Sequence, residues 1–215
     1  MRQSPLQPAL SRESIVDAAI ELVDRAGLEA LTMRALARQL DVGTMTLYGY
    51  FRDKRELVDA MVDALAERAQ VPTLRGSWRA RLAELMTYLH RSLAAYPQLA
   101  RLRVAQPIVT PGAFRFTETA IAVLRGAGFD AAPAAQHFRT LFLYTFGVAV
   151  LSPADQAAEH RRRSAGALAA LPPDEYPTLS GQLLEMLDSL DPEAQFRHGL
   201  ELILDGIEAS LPATD

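Results

Sequence analysis

An all-α fold, with a small N-terminal three-helix head joined to a larger helical body, follows from three features of this 215-residue sequence. Apolar residues recur at helical spacing along nearly the whole chain, from Ile15, Ala18, Ala19, Leu22 and Val23 to Leu200, Ile203, Leu204 and Ile207. Residues that favour helix starts stand in front of such runs: Ser11, Thr32, Asp53 and the Asp191-Pro192-Glu193 triplet. Between Thr32 and Leu57, two short helical runs flank the tight turn Asp41-Val42-Gly43, which is helix-turn-helix spacing.

Bulk composition bounds the function. The chain is 49% hydrophobic and 22% charged, a globular balance that can bury a substantial core. Its net charge of −4 gives no global basic signature, and residues 1–56 hold eight basic and eight acidic side chains. Any nucleic-acid contact must therefore come from arrangement rather than from the field of the whole protein. There are no cysteines, which removes disulfides and thiol ligands, and the four histidines are scattered. No activated nucleophile, phosphate-cradling glycine loop or paired carboxylate stands out, so no enzyme, metal site or cofactor is expected. The longest apolar stretch, around 141–151, is too short to span a bilayer, and a cytoplasmic protein with no membrane partner is expected.

Taken in order, residues 1–10 form an unpatterned, flexible arm, from whose vicinity Arg2 and Arg12 can reach a backbone phosphate or a minor groove. Ser11 caps a first helix that ends at Gly27. Thr32 caps a second, with Leu36, Ala37 and Leu40 inward and Arg34 outward, either a phosphate contact or a solvated arginine. In the turn, Asp41 suits the left-handed conformation and Val42 is the expected buried plug. The third helix starts near Gly43 or Thr44 and runs to about Phe51. Leu47 and Phe51 point inward, leaving Thr44, Met45, Thr46, Tyr48, Gly49 and Tyr50 outward, small and hydroxylated enough for close entry to a major groove. The other reading of Tyr48 and Tyr50 is ordinary packing. Asp53 and Glu56 form a capping-box pattern before the fourth helix, with Lys54, the only lysine, in its first turn beside unpaired amides that suit a phosphate. Arg52 and Arg55 flank it.

By these residues the chain resembles the TetR family of bacterial transcriptional regulators. The matching stretches are residues 31–37, Leu40, Val42, Thr46-Leu47-Tyr48, Tyr50-Phe51, Lys54 and Glu56-Leu57. The resemblance implies an all-helical homodimer with one DNA-reading head per subunit and a larger ligand-binding and dimerisation domain. It implies backbone-positioning roles for Arg34, Tyr48 and Lys54, and places Thr44, Met45, Thr46, Gly49 and Tyr50 toward base edges or adjacent phosphates. Asp41 stands where many members have glycine, Gly43 where many have serine or a bulkier residue, and Gly49 at a position often aromatic.

Beyond the head, Pro72 and Gly76 mark the end of the fourth helix and a connection. Trp78 to Leu93 form a long amphipathic helix broken before Pro97, a short helical piece reaches about Gln106, and 107–112 reads as a loop. Phe114 to Leu124 suggest another helix ending near Gly126 to Gly128. Asp130 is placed to cap the next, in which His137 to Leu151 are apolar around much of the circumference, as at a bundle centre or a subunit interface. The run Arg161-Arg162-Arg163 reads as a solvated, partly helical crossover in preference to a second nucleic-acid site. Residues 178–190 read as one helix. In the last helix Gly199 and Gly206 sit seven apart on nearly one face, which suits close approach by another helix. Residues 196–207 also resemble the C-terminal domain of the tetracycline-repressor branch.

The resulting organisation is a flexible arm (1–10), a DNA-binding head (11–58), a connecting helix and linker (59–75) and a regulatory and dimerisation domain (76–211). The expected partners are a palindromic double-stranded DNA operator, a second copy of the chain and an unidentified small-molecule effector. Candidate effector-pocket residues are Met86, His90, Arg101, Phe114, His137, Phe138, Leu141 and Tyr144, a mixture of apolar surface and polar tips. Candidate dimer-interface residues are Phe142, Phe146, Phe196, Gly199, Leu200, Ile203, Gly206 and Ile207. The function expected is repression relieved by ligand; the alternatives are a DNA-independent ligand-binding or interaction protein, and an activator.

Overall fold

The computed structural model of the chain describes residues 10–68, 72–97, 100, 110–151 and 156–211. It divides into two compact units, Met1–Ala69 with Ile108–Gly112, and Gln70–Pro107 with Ala113–Asp215.

In the first unit, α1 (Arg12–Ala26) starts at a reciprocal cap: Ser11 Oγ accepts the Ser14 N–H at 3.1 Å and Ser14 Oγ accepts the Ser11 N–H at 2.9 Å. Gly27, at φ 77°, turns the chain out of the helix into the 3₁₀ turn Leu28–Ala30. Thr32 Oγ1 accepts the Ala35 N–H at 3.0 Å and starts α2 (Met33–Gln39). Asp41 takes the left-handed conformation at φ 54°, as expected of the turn. Then follow α3 (Thr44–Tyr48) and α4 (Lys54–Arg68). The head closes around Ile15, Leu31, Leu36, Leu47, Phe51, Leu57 and Met61, all fully buried. Its helices α1 and α2 pack together, with α4 on α1 and α3 on α2.

Two details differ from expectation. The third helix stops at Tyr48 instead of reaching Phe51, because the Gly49 and Tyr50 amides bond to carbonyls only three residues back, at 3.1 and 3.0 Å. That tighter turn swings Phe51 into the core. Val42 is only half-buried, as is Leu40; Leu36 and Leu47 are the side chains that plug the head.

The second unit is built on α5 (Trp78–Ala95), α6 (Pro111–Gly126, whose first two residues fall in the first unit), α7 (Ala131–Leu151) and α11 (Pro192–Ala209). Helices α5, α7 and α11 pack on one another around Leu82, Leu85, Met86, Leu141, Phe196 and Leu200, with Val123 and Leu124 of α6 in the same core. Ser77 caps α5 and Asp191 caps α11, each accepting the backbone N–H three residues on, at 3.2 and 2.8 Å. A peripheral group, α8 (Ala157–Ala169), α9 (Pro177–Gly181) and α10 (Leu183–Asp188), packs on itself.

Here too the structure corrects the sequence. Pro111 and Gly112 belong to the first turn of a helix, where proline's missing N–H costs nothing, and not to a loop. Residues 178–190 form two short helices because the chain leaves helical geometry at Gln182 (φ −126°, ψ 26°), directly after Gly181. Asp130 leaves its side chain in solvent 3.8 Å from Arg125. The piece expected up to Gln106 lies almost wholly outside the described residues.

Candidate nucleic-acid interface

Five residues of α3 are too few to hold a helix in water, so the shape of this element comes from the head beneath it. Leu47 is the pin: fully buried, it fixes which residues face outward. Met45 is 81% exposed and Tyr48 45% exposed; Thr46 and Gly49 are exposed and Thr44 is half-buried. Arg34 stands exposed on α2. Tyr50 differs from these companions. Its hydroxyl donates to the Leu10 carbonyl at 2.9 Å, its own carbonyl accepts from Arg12, and the residue is half-buried.

The corner between α3 and α4 carries the charge. Asp53 Oδ1 accepts the Glu56 N–H at 2.9 Å, the first half of the expected capping box. The reciprocal half is displaced by one residue: Glu56 Oε2 accepts the Arg52 N–H at 2.9 Å and also the Arg52 Nε–H at 3.2 Å. Its other oxygen accepts Arg12 Nη2–H at 2.9 Å. The Arg52 amide, then the Arg12 guanidinium, then the Arg52 side chain hold the Glu56 carboxyl down to about 2. Arg12 also lies over the Phe51 ring, 4.1 Å from its centroid. Arg12, expected to reach a phosphate, is half exposed and engaged by Glu56, the Tyr50 carbonyl and Phe51, and Arg52 is paired with Glu56. Lys54 and Arg55 keep no ion pair among the described residues.

The candidate pocket residues occupy different environments. Met86 and Leu141 are fully buried core, whereas Phe114 is 60% exposed. His90 is buried with its ring stacked on Phe196, centroids 3.9 Å apart, and its Nδ1 has no hydrogen bond and lies 3.9 Å from Glu193 Oε2. Burial pushes the His90 pKa down; Glu193 opposes the shift and Arg91 adds to it. His137 meets the edge of Phe129 at 4.8 Å and, through Nε2, Ser210 Oγ at 3.3 Å. Phe138 lies between Phe116 and Phe142, at 6.4 and 6.0 Å. Tyr144 donates to the Gln195 carbonyl at 2.6 Å. Arg101 lies outside the described residues. An open cleft of about 670 Å³ does exist elsewhere, lined by Leu151, His160, Arg163, Ser189 and Gln195 among others, and none of the candidates lines it.

The interface candidates split as well. Phe196, Leu200 and Ile207 fill the core of their own chain, and Gly199 is covered by Tyr144. Phe142 and Phe146, 5.8 Å apart, are half-buried, as is Ile203, and Gly206 opens on free space. Apolar residues that sequence reasoning did not single out, Leu143, Leu151 and Leu202, stand exposed. Two of the three consecutive arginines are held by the protein: Arg161 bonds to the Leu187 carbonyl and to Asp188, and Arg162 to Glu159. No helix of the described residues is long and apolar enough to cross a membrane, and no group of three or more potential ligand side chains among them is placed to hold a metal.

A capped helix-turn-helix head with a second, all-helical unit defines a DNA-binding regulator. Residues 15–61 match the family described as "Bacterial regulatory proteins, tetR family", and residues 71–211 match "Tetracyclin repressor-like, C-terminal domain". The chain belongs to the TetR family of transcriptional regulators, and is a regulator rather than an enzyme. It is 33% identical to the class A tetracycline repressor protein of Escherichia coli, over 92% of this chain and 90% of that one. It is 30% identical to an HTH-type transcriptional regulator of Saccharopolyspora erythraea, over 97% and 89%. The crystal structure of the Streptomyces coelicolor TetR family protein ActR in complex with actinorhodin superposes with a TM-score of 0.85 at 27% identity, covering 96% of this chain and 99% of that one.

Proposed function

We propose that the protein is a homodimeric repressor that holds a palindromic operator and is released from it by a small organic ligand bound in the helical body. The observation that carries the DNA half of this reading is the outward face of α3, Thr44, Met45, Thr46 and Tyr48, set on the buried Leu47 and followed at once by Lys54 at the capped start of α4. Thr46, with Thr44, Met45, Gly49 and the ring of Tyr50, is assigned to base edges or the phosphates beside them. Arg34, Tyr48 and Lys54 are assigned to the backbone, which fixes register without reading sequence. In this reading residues 11–58 are the head and 76–211 the regulatory and dimerisation domain, and two heads on a two-fold axis meet major grooves about 34 to 36 Å apart. The protein acts in the cytoplasm, where the operator lies.

A ligand releases DNA only by binding one arrangement of the helices better than another. That a related protein of the same fold is seen with actinorhodin supports an organic effector in this chain's body. Among the residues proposed for such contacts, His90, His137 and Tyr144 bring polar atoms to largely apolar surroundings.

Selection of binding sites from a randomised duplex pool by purified protein, at stated ionic strength, tests the reading. Enrichment of one palindrome is expected. A folded dimer that enriches no site would instead be a DNA-independent binding protein on the same fold.

A further inference from the structure

The reading head contains a carboxylate where a phosphate-binding corner would least want one. Glu56 lies two residues after Lys54, and its side chain is directed back onto the α3–α4 corner. Each of its oxygens takes a guanidinium: Oε1 that of Arg12, Oε2 that of Arg52. The two arginines are not equivalent. Arg12 is fixed three ways, by Glu56, by the Tyr50 carbonyl and by the Phe51 ring, and so ties the first residue of α1 to the segment that ends α3. The Arg52 side chain is 90% exposed and is held by Glu56 alone among the described residues.

From this arrangement we infer that Glu56 is a specificity-determining, positioning residue for DNA recognition: it fixes the α3–α4 corner through Arg12 and withholds Arg52 from the phosphate backbone. The inference rests on the head being the DNA reader. Its physical content is a trade. Cations that reach phosphates tighten binding to every duplex alike, because they release counterions without reading bases. A carboxylate that neutralises two of them lowers that indiscriminate component. The same carboxylate, by bracing the corner, keeps α3 in the pose that its base contacts require. Lys54 and Arg55 have no such partner among the described residues and remain available to the backbone.

The test is the salt dependence of binding to the selected operator and to a random duplex of equal length. Glu56→Gln keeps the side-chain length and an acceptor for the Arg52 N–H but removes the charge. Its slope of log affinity against log salt on the random duplex is expected to steepen by about 1 to 2, since each phosphate neutralised adds about 0.9. The ratio of operator to random affinity is expected to narrow by about three- to tenfold, with added backbone contacts strengthening both and a loosened corner weakening only the first. A purely structural role lowers both affinities and leaves the slope alone, so an unchanged slope overturns the inference.

Arg52→Gln supplies a second measurement at a side chain that the fold does not need. With Glu56 in place its slope should equal that of the wild type; a slope shallower by about 0.9 would mean that Arg52 already meets phosphate and overturns the inference. This arm decides the matter if Glu56→Gln does not fold. A wild-type protein that binds no duplex sinks the DNA reading itself, whereas wild-type binding with an unchanged Glu56→Gln slope sinks only the role of Glu56.

Discussion

The Tyr144 hydroxyl fills the space that a side chain on Gly199 would need. It donates to the Gln195 carbonyl at 2.6 Å, and a Cβ built on Gly199 would lie 2.7 Å from the Tyr144 ring Cε2 and closer still to the hydroxyl. Glycine in mid-helix costs about 1 kcal/mol relative to alanine, so helix propensity alone predicts that Gly199→Ala stabilises the protein. The packing predicts the reverse: a loss of about 1–3 kcal/mol from overpacking. Tyr144→Phe, which keeps the ring and loses the hydroxyl's bonds to the Gln195 and Phe196 carbonyls, should cost about 0.5–1.5 kcal/mol. Urea unfolding of the two variants decides it, and a Gly199→Ala protein as stable as the wild type would show that the close approach is not what holds glycine there.

Two groups give the stability of the protein a pH dependence in separate windows. Burial holds the His90 pKa below its ordinary value of 6.5, so the folded state favours the neutral ring. Its contribution is complete above pH 6.5 and is lost as pH falls below that value, where the unfolded chain takes up the proton first. His90→Phe keeps an aromatic ring against Phe196 and should flatten the loss of stability between pH 7.5 and 5.5. Glu56, held down to about 2 from 4.5, contributes above pH 4.5 and loses its contribution as pH falls from there toward 2. A carboxyl resonance of Glu56 titrating near 4.5 in the folded protein would contradict the ion-pair geometry at the corner.

What the sequence reveals is what neighbours along the chain decide. The caps at Ser11, Thr32, Asp53 and Asp191, the left-handed Asp41 and the inward Leu47 depend on residues within a turn of themselves, and each appears in the structure as expected. The partners of Arg12 are not legible in the sequence because they lie 38 and 44 residues away, and no local pattern tells a paired arginine from a free one. Phe196, Leu200 and Ile207 were placed at a subunit interface by resemblance to the tetracycline-repressor branch, and helical periodicity says that a face is buried without saying against what. In the structure they fill their own core, packed with residues of α5 and α7. The pocket candidates show the same limit: Met86, Leu141 and Phe114 share apolar character and occupy quite different environments.

The division of labour in the head makes Lys54 and Thr46 the informative pair. Lys54→Ala removes a charge next to unpaired helix-start amides and should weaken binding across all duplex sequences, with a salt slope shallower by about 0.9. Thr46→Ala removes an exposed hydroxyl and methyl from α3 and should leave the slope unchanged while altering which base is preferred at one position of each half-site. Both variants are read in the same selection from a randomised pool. Identical preferences and identical slopes in the two would remove the distinction.

The outer face of α11 bears on how two heads are brought together. Phe196, Leu200, Leu204 and Ile207 take the inner side of this helix, which leaves Leu202 58% exposed and Gly206 with nothing within 4 Å of where its Cβ would be. An apolar side chain four residues before an open glycine is a surface that a second helix can approach closely, and Leu143 of α7 is likewise exposed. If this face is the seam between two copies, a two-fold axis counts any change at Leu202 twice. Leu202→Glu should then weaken dimerisation by about 10- to 100-fold, with each factor of ten worth about 1.4 kcal/mol. The inner face is untouched, so the helical signal of the monomer should persist. Sedimentation velocity across a dilution series measures the first effect, and operator binding should follow it, becoming steeper in protein concentration as the two heads cease to arrive together. A Leu202→Glu protein that remains dimeric at micromolar concentration would place the seam on another surface.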